Sequence, residues 1–139
     1  MTIQTATFHL KTKGFSDAHD ITRTVQEFLS SSSLERGVAT VFVPGSTAGI
    51  TTMEFESGAI ADLQSAIERI APRDIEYSHD RRWGDGNGFA HVRAALLGPC
   101  LAVPFAGGKL QLGTWQQIIL IDFDNRPRTR DVHVQIVGE

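Results

Sequence analysis

The sequence predicts an α+β fold, a mostly antiparallel, sandwich-like sheet with two helices, in one domain spanning residues 1–139. Three observations lead there. Strand-like segments outnumber helical ones, the long crossovers that parallel strands require are missing, and glycine or proline turns fall between strand candidates. With 41% apolar residues the chain can build a core. At this length it buries roughly two thirds of its unfolded surface.

Thr5 to Thr12 alternates, with Ala6, Phe8 and Leu10 on one face and Thr7, His9 and Lys11 on the other, which is the pattern of a half-exposed strand. Ile21, Val25, Phe28 and Leu29 then recur at helical spacing, with Asp17 or Asp20 as cap and the serines 30–33 as exit. Gly37 to Val43 is β-rich and apolar on both faces, which marks a central strand. Pro44-Gly45-Ser46-Thr47 makes a turn, and Ile50 to Phe55 resumes extended structure. A second helix follows, capped by Ser57, with Ile60, Leu63, Ile67 and Ile70 facing the core and Pro72 ending it. Arg73 to Ala90 shows no period and reads as a long loop of functional type. Cys100 to Phe105, Gln116 to Phe123 and Asp131 to Val137 are three further strands. Gly107-Gly108 is a hairpin signal between the first two, and Asp124-Asn125-Arg126-Pro127 is a turn before the last.

Composition narrows the function classes. The net charge is −3, and no charged run exceeds the mixed Asp80-Arg81-Arg82, so neither nucleic acid nor a membrane surface is an expected partner. Cys100 is the single cysteine and cannot close an intrachain disulfide, which suits a reducing compartment. The amino terminus lacks the pattern of a signal peptide. No apolar stretch reaches the ~20 residues that span a bilayer. A cytoplasmic location is therefore expected.

Several residues have the chemistry of a site. His79 and His91 flank the glycine-rich loop, and with a carboxylate such as Glu54, Asp80 or Asp85 they could form a divalent metal site or an acid/base pair. Their spacing matches no compact metal motif, and satisfied loop histidines fit the same residues. The turn at Ser46 and Thr47 offers hydroxyls and backbone amides to phosphate oxygens. Arg93, Arg126, Arg128 and Arg130 could add positive charge there, or stand in solvent. Gly113-Thr114-Trp115-Gln116 places a flat ring beside a hydroxyl and an amide, suited to a heteroaromatic ligand or to a structural tryptophan. Cys100, within an apolar strand, reads as an inert core thiol.

Four stretches, taken in order, resemble one family over residues 8–139. They are Val41 to Ile50 followed by Glu54; Tyr77-Ser78-His79-Asp80 followed by Asn87 and Ala90-His91-Val92-Arg93; Leu110 to Ile118, with Leu112-Gly113-Thr114-Trp115-Gln116-Gln117 at its centre; and Asp122-Phe123-Asp124 through Arg128 to Gly138-Glu139. The chain is thereby similar to the YjbQ-type family, named for a secondary thiamine-phosphate synthase activity. The resemblance implies a small α+β protein that assembles as a homotrimer. It also implies transfer of a pyrophosphorylated aminopyrimidine onto a thiazole phosphate, with release of pyrophosphate and Mg²⁺ or another divalent metal as helper.

In that picture His79, His91 and Gln116 are catalytic, while Ser46, Thr47, Asn87, Arg93, Thr114, Trp115 and Arg128 bind the phosphorylated substrates. His79 and His91, with Glu54 or Asp85, would hold the metal. Many members carry histidine where Gly45 stands here, which shifts the expectation from tight zinc binding toward weaker Mg²⁺ binding. The alternatives are a non-catalytic binder of a phosphorylated metabolite and a metal-assisted hydrolase.

Overall fold

The computed structural model describes residues 1–139. In chain order the elements are β1 (Thr2–Thr12), β2 (Asp17–Asp20), α1 (Thr22–Ser31), β3 (Arg36–Phe42), β4 (Ala48–Met53), α2 (Ser57–Ile70), α3 (Ser78–Trp83), α4 (Gly88–Leu97), β5 (Cys100–Ala106), β6 (Lys109–Leu110), β7 (Gln117–Asp122) and β8 (Arg128–Gly138). One sheet has the order β1-β8-β3-β5-β6 and the other β2-β7-β4, with every pairing antiparallel. The α+β class and the antiparallel sheets are as the sequence predicts.

The molecule is layered by the parity of its strands. Val132, Val134 and Ile136 of β8, Ala39 and Val41 of β3, and Val103 and Phe105 of β5 point inward from the larger sheet. They meet Ile50 of β4 and Ile118 and Leu120 of β7, with Val25 and Leu29 of α1 closing one end. The alternate residues of β7, Ile119 and Ile121, face the other way onto Phe89, Ala90 and Ala94 of α4, joined by Phe123. Ile60, Leu63 and Ile67 of α2 complete this second core. β7 is thus buried on both faces, which explains its unbroken run Ile118-Ile119-Leu120-Ile121. β3 does not have that role. It alternates, and Val38 and Phe42 are exposed on its outer face.

Four helices are present where two were expected. α3 and α4 occupy the supposed long loop and the segment after it. Periodicity hides α4 because Arg93 sits on its buried face while Val92 and Leu96 stand on the exposed one. Hydrophobic contrast between the two faces is therefore small. The cap of α2 is Glu56 rather than Ser57, its carboxylate accepting from the Gly58 and Ala59 amides at 2.7 Å each. Both bonds favour the ionised form and hold the Glu56 carboxyl below its ordinary value. Ile70 is exposed, not inward. The Gly107-Gly108 turn joins β5 to the two-residue β6, not to β7, which lies in the other sheet. Cys100 faces solvent, so it is not a core thiol. No helix is long and apolar enough to cross a membrane.

Candidate functional site

The two histidines predicted for the site do meet. His79 lies in the six-residue α3, which Gly84 ends in a left-handed conformation, and His91 lies one turn into α4. Asp80 ties the helices together, its Oδ1 accepting from the Gly88 amide at 2.8 Å. A β-carbon at Gly88 would stand 2.5 Å from the Cβ of Tyr77, so only glycine lets the chain pass so close. The clamp brings the imidazole centroids to 4.3 Å with a 38° tilt. His79 Nδ1 is buried without a hydrogen-bond partner, and Asp80 Oδ1 stands 3.6 Å from it.

The Pro44–Thr47 turn lies on the other side of His91. A cleft of about 220 Å³ separates them, lined by Gly45, Ser46, Ala48, His91, Ala95 and Pro99 among others. Beneath the turn, Thr47 belongs to a buried polar network. Its Oγ1 donates to Asp124 Oδ2 at 2.9 Å and accepts from Arg130 Nη2 at 2.7 Å. Arg130 also grips Asp122 through Nε at 2.6 Å and Nη2 at 2.9 Å, and Thr12 donates to Asp122 at 2.6 Å. Arg128 Nε donates to Asp124 at 2.9 Å. Two carboxylates and two guanidinium groups therefore balance, as charges removed from water must. Burial works against the charge on Asp124, but hydrogen bonds from Thr47, Asn125, Arg128 and Asn87 outweigh it and hold the carboxyl below its ordinary value.

The remaining candidates fall into two other clefts. Asp85, Asn87 and Arg128, with Asn125 and Arg126, line a wholly polar hollow of about 320 Å³. Asn87 stands at the N-cap position of α4, makes no side-chain bond to the helix, and is buried. Its Nδ2 reaches toward Asp124 Oδ1 at 3.4 Å, while its Oδ1 has no partner. Gln116 lines a third cleft of about 330 Å³ with Thr52, Cys100 and Leu112. Its side chain is already engaged, accepting from the Gly113 amide and donating to Thr52 Oγ1, both at 3.0 Å. Thr114 is exposed, and Trp115 is 73% exposed.

Some assignments change. Arg93 is not available to a phosphate. Its Nε donates to the Ala71 carbonyl at 2.9 Å, Nη1 to Ser16 at 3.2 Å, and Nη2 pairs with Glu68. Glu68 is held below its ordinary value by the Arg73 amide first and by Arg93 second. The proposed metal set also disperses. His79, His91, Glu54 and Asp85 do not converge, and no three histidine, cysteine or carboxylate side chains gather to hold an ion. Mg²⁺ prefers a near-octahedral set of oxygen ligands. The four residues build no cage for such an ion within one chain.

Of the four arginines the sequence offers to the turn, Arg130 is the one that reaches it, through its bond to Thr47. Strand parity places it there. In β8 the even-numbered positions point inward, so Arg130 shares the face of Val132 and Val134.

Comparison with known proteins agrees with this architecture. Residues 6–139 match a family model described as UPF0047 protein YjbQ-like. A UPF0047 protein of Methanothermobacter thermautotrophicus is 36% identical over 139 residues, covering 100% of this chain and 95% of that one. The UPF0047 protein YugU of Bacillus subtilis is 34% identical, covering 95% of this chain and 98% of the relative. A crystal structure of a YbjQ-like protein of unknown function from Sulfolobus solfataricus superposes with a TM-score of 0.89 at 29% identity, covering 99% and 100% of the two chains. An uncharacterized conserved protein of the YjbQ/UPF0047 family from Clostridium acetobutylicum does so with a TM-score of 0.86 at 34% identity, covering 95% and 99%.

Proposed function

The chain belongs to the YjbQ-like UPF0047 family, and from that premise we propose that it is a cytoplasmic, homotrimeric secondary thiamine-phosphate synthase. The observation that carries this reading is the His79–His91 pair, whose second member shares a cleft with Ser46. In the reaction the thiazole nitrogen forms a bond to the methylene carbon of the aminopyrimidine. The carbon–oxygen bond to pyrophosphate breaks, and pyrophosphate leaves with the bonding electrons.

The site must hold two substrates in contact and neutralise charge on the departing group. Ser46 and the turn around it receive the phosphoryl oxygens. His91, in the same cleft, gives a proton to the leaving oxygen, and His79 packs against that ring and fixes its place. Arg128 and Asn87, in the neighbouring polar hollow, serve a second phosphate. Gln116 opens on a different cleft. In this reading its role, with those of Thr114 and Trp115, depends on a neighbouring subunit.

The test is direct. Purified protein given both substrates should form thiamine phosphate, read by oxidation to its fluorescent product, with one pyrophosphate released per turnover. Ligand-induced thermal stabilisation without pyrophosphate release would make the protein a binder of phosphorylated metabolites instead.

A further inference from the structure

We propose that the cleft between the Pro44–Thr47 turn and α4 receives the phosphoryl group of a phosphate monoester with a compact, apolar body, and that Arg130 is its buried cation. This rests on the reading of the same turn as a phosphate site and specifies what that site selects.

Donors collect at this corner without acceptors to meet them. The amides of Gly45, Ser46 and Thr47 donate to no backbone carbonyl. The Ser46 side chain is exposed and makes no hydrogen bond within the chain. Arg130 is 8% exposed. Its Nε and Nη2 are spent on Asp122 and Thr47, but its Nη1 carries no hydrogen bond. That nitrogen lies 3.1 Å from where a β-carbon at Gly45 would stand, and Gly45 has φ +117°. Arg130 lies beneath the lining of the cleft, and Gly45, which does line it, has no side chain to come between the guanidinium and the space above. The carboxylates nearby do not compete for an anion, since Asp122 and Asp124 are already paired with Arg130, Arg128 and Thr47. Successive free amides, a hydroxyl and an unspent guanidinium nitrogen form an oxyanion receptor.

The opposite wall sets the selectivity. Ala94, Ala95 and Pro99 present small apolar surfaces beside His91, and Ala48 adds another next to the turn. No charged or amide side chain there would recognise a sugar or a nucleobase edge. The volume of about 220 Å³ is below the roughly 300 Å³ at which pockets for larger ligands begin. A phosphate on a small ring or short alkyl chain fits both facts.

Binding of phenyl phosphate, inorganic phosphate and benzyl alcohol can be measured by calorimetry on the whole protein. Phenyl phosphate should bind at least tenfold more tightly than inorganic phosphate, and benzyl alcohol should not bind. Ala95→Leu closes the wall from an exposed helix position and should weaken phenyl phosphate at least tenfold. Ser46→Ala and Arg130→Lys should each weaken both phosphates by a similar factor. Arg130→Lys also disturbs the buried network, so if it does not fold the other two variants decide. Absence of phosphate binding, or unchanged affinity in both Ala95→Leu and Ser46→Ala, overturns the proposal. Synthase turnover that phenyl phosphate does not inhibit overturns it while the reaction stands. Phenyl phosphate binding lost in Ala95→Leu, without any turnover, keeps the pocket and removes the reaction.

Discussion

His79 and His91 place their imidazole rings 4.3 Å apart although they sit on two different short helices. The approach depends on one clamp, the bond from the Gly88 amide to Asp80 at 2.8 Å. A six-residue helix has little stability of its own, so α3 owes its position to that carboxylate and to the packing of Tyr77 against Gly88.

His91→Ala is expected to lower synthase turnover by about 100-fold or more, the range typical of a lost acid/base group. His91 is only half-buried and holds no hydrogen bond with its ring, so the melting curve and the oligomeric state should stay near those of the parent. Pyrophosphate release, circular dichroism and light scattering check the three parts. Unchanged turnover removes His91 from the reaction.

Asp124 makes stability pH-dependent with a definite sign. Its folded pKa lies below the ordinary value of 3.8, so the stability it contributes is fully present above that unfolded value. It is lost as pH falls toward and through the folded value. Urea midpoints should therefore decline once pH drops below about 4. Asp124→Asn should flatten that acid limb and cost about 3 kcal/mol at neutral pH, because the partners of a buried ion pair are left behind. An acid limb as steep as the parent's would contradict the assignment.

Arg93→Met separates structure from binding. The change takes a donor from the Ala71 carbonyl, Ser16 and Glu68, the last keeping only the Arg73 amide, at a cost of about 2–4 kcal/mol. Chemical denaturation measures that loss. The affinity of the folded protein for phosphate should not change, and a tenfold loss would return Arg93 to the site.

Two aromatic truncations should differ sharply. Phe123 is fully buried at the second core, and Phe123→Ala is expected to cost about 3–5 kcal/mol. Trp115 is 73% exposed, and Trp115→Ala should stay within about 0.5 kcal/mol of the parent. Urea denaturation of both variants under one set of conditions makes the comparison.

Local pattern was enough wherever an element keeps one polar and one apolar face. Alternation in β1 and the 3.6-residue spacing in α2 are visible in the chain because water lies on one side of each. The same rule explains the failures. Arg93 on the buried face of α4, against Leu96 on the exposed one, cancels the contrast that would have announced a helix. β2 and β6, at four and two residues, are too short to carry a period and form only because β7 and β5 offer paired edges.

The sequence by itself determined the family, the α+β class, the turn at Ser46 and the two histidines as candidates. Only the tertiary structure decided which cation serves that turn. Arg93 and Arg130 both lie on buried faces, and local parity or helical spacing places each inward without saying which one meets the turn. Arg93 is consumed by Glu68, 25 residues away. Arg130 keeps one nitrogen free because Asp122, across the β7–β8 turn, takes its other side. Such choices follow from strand pairing between distant segments, which residue spacing along the chain does not encode.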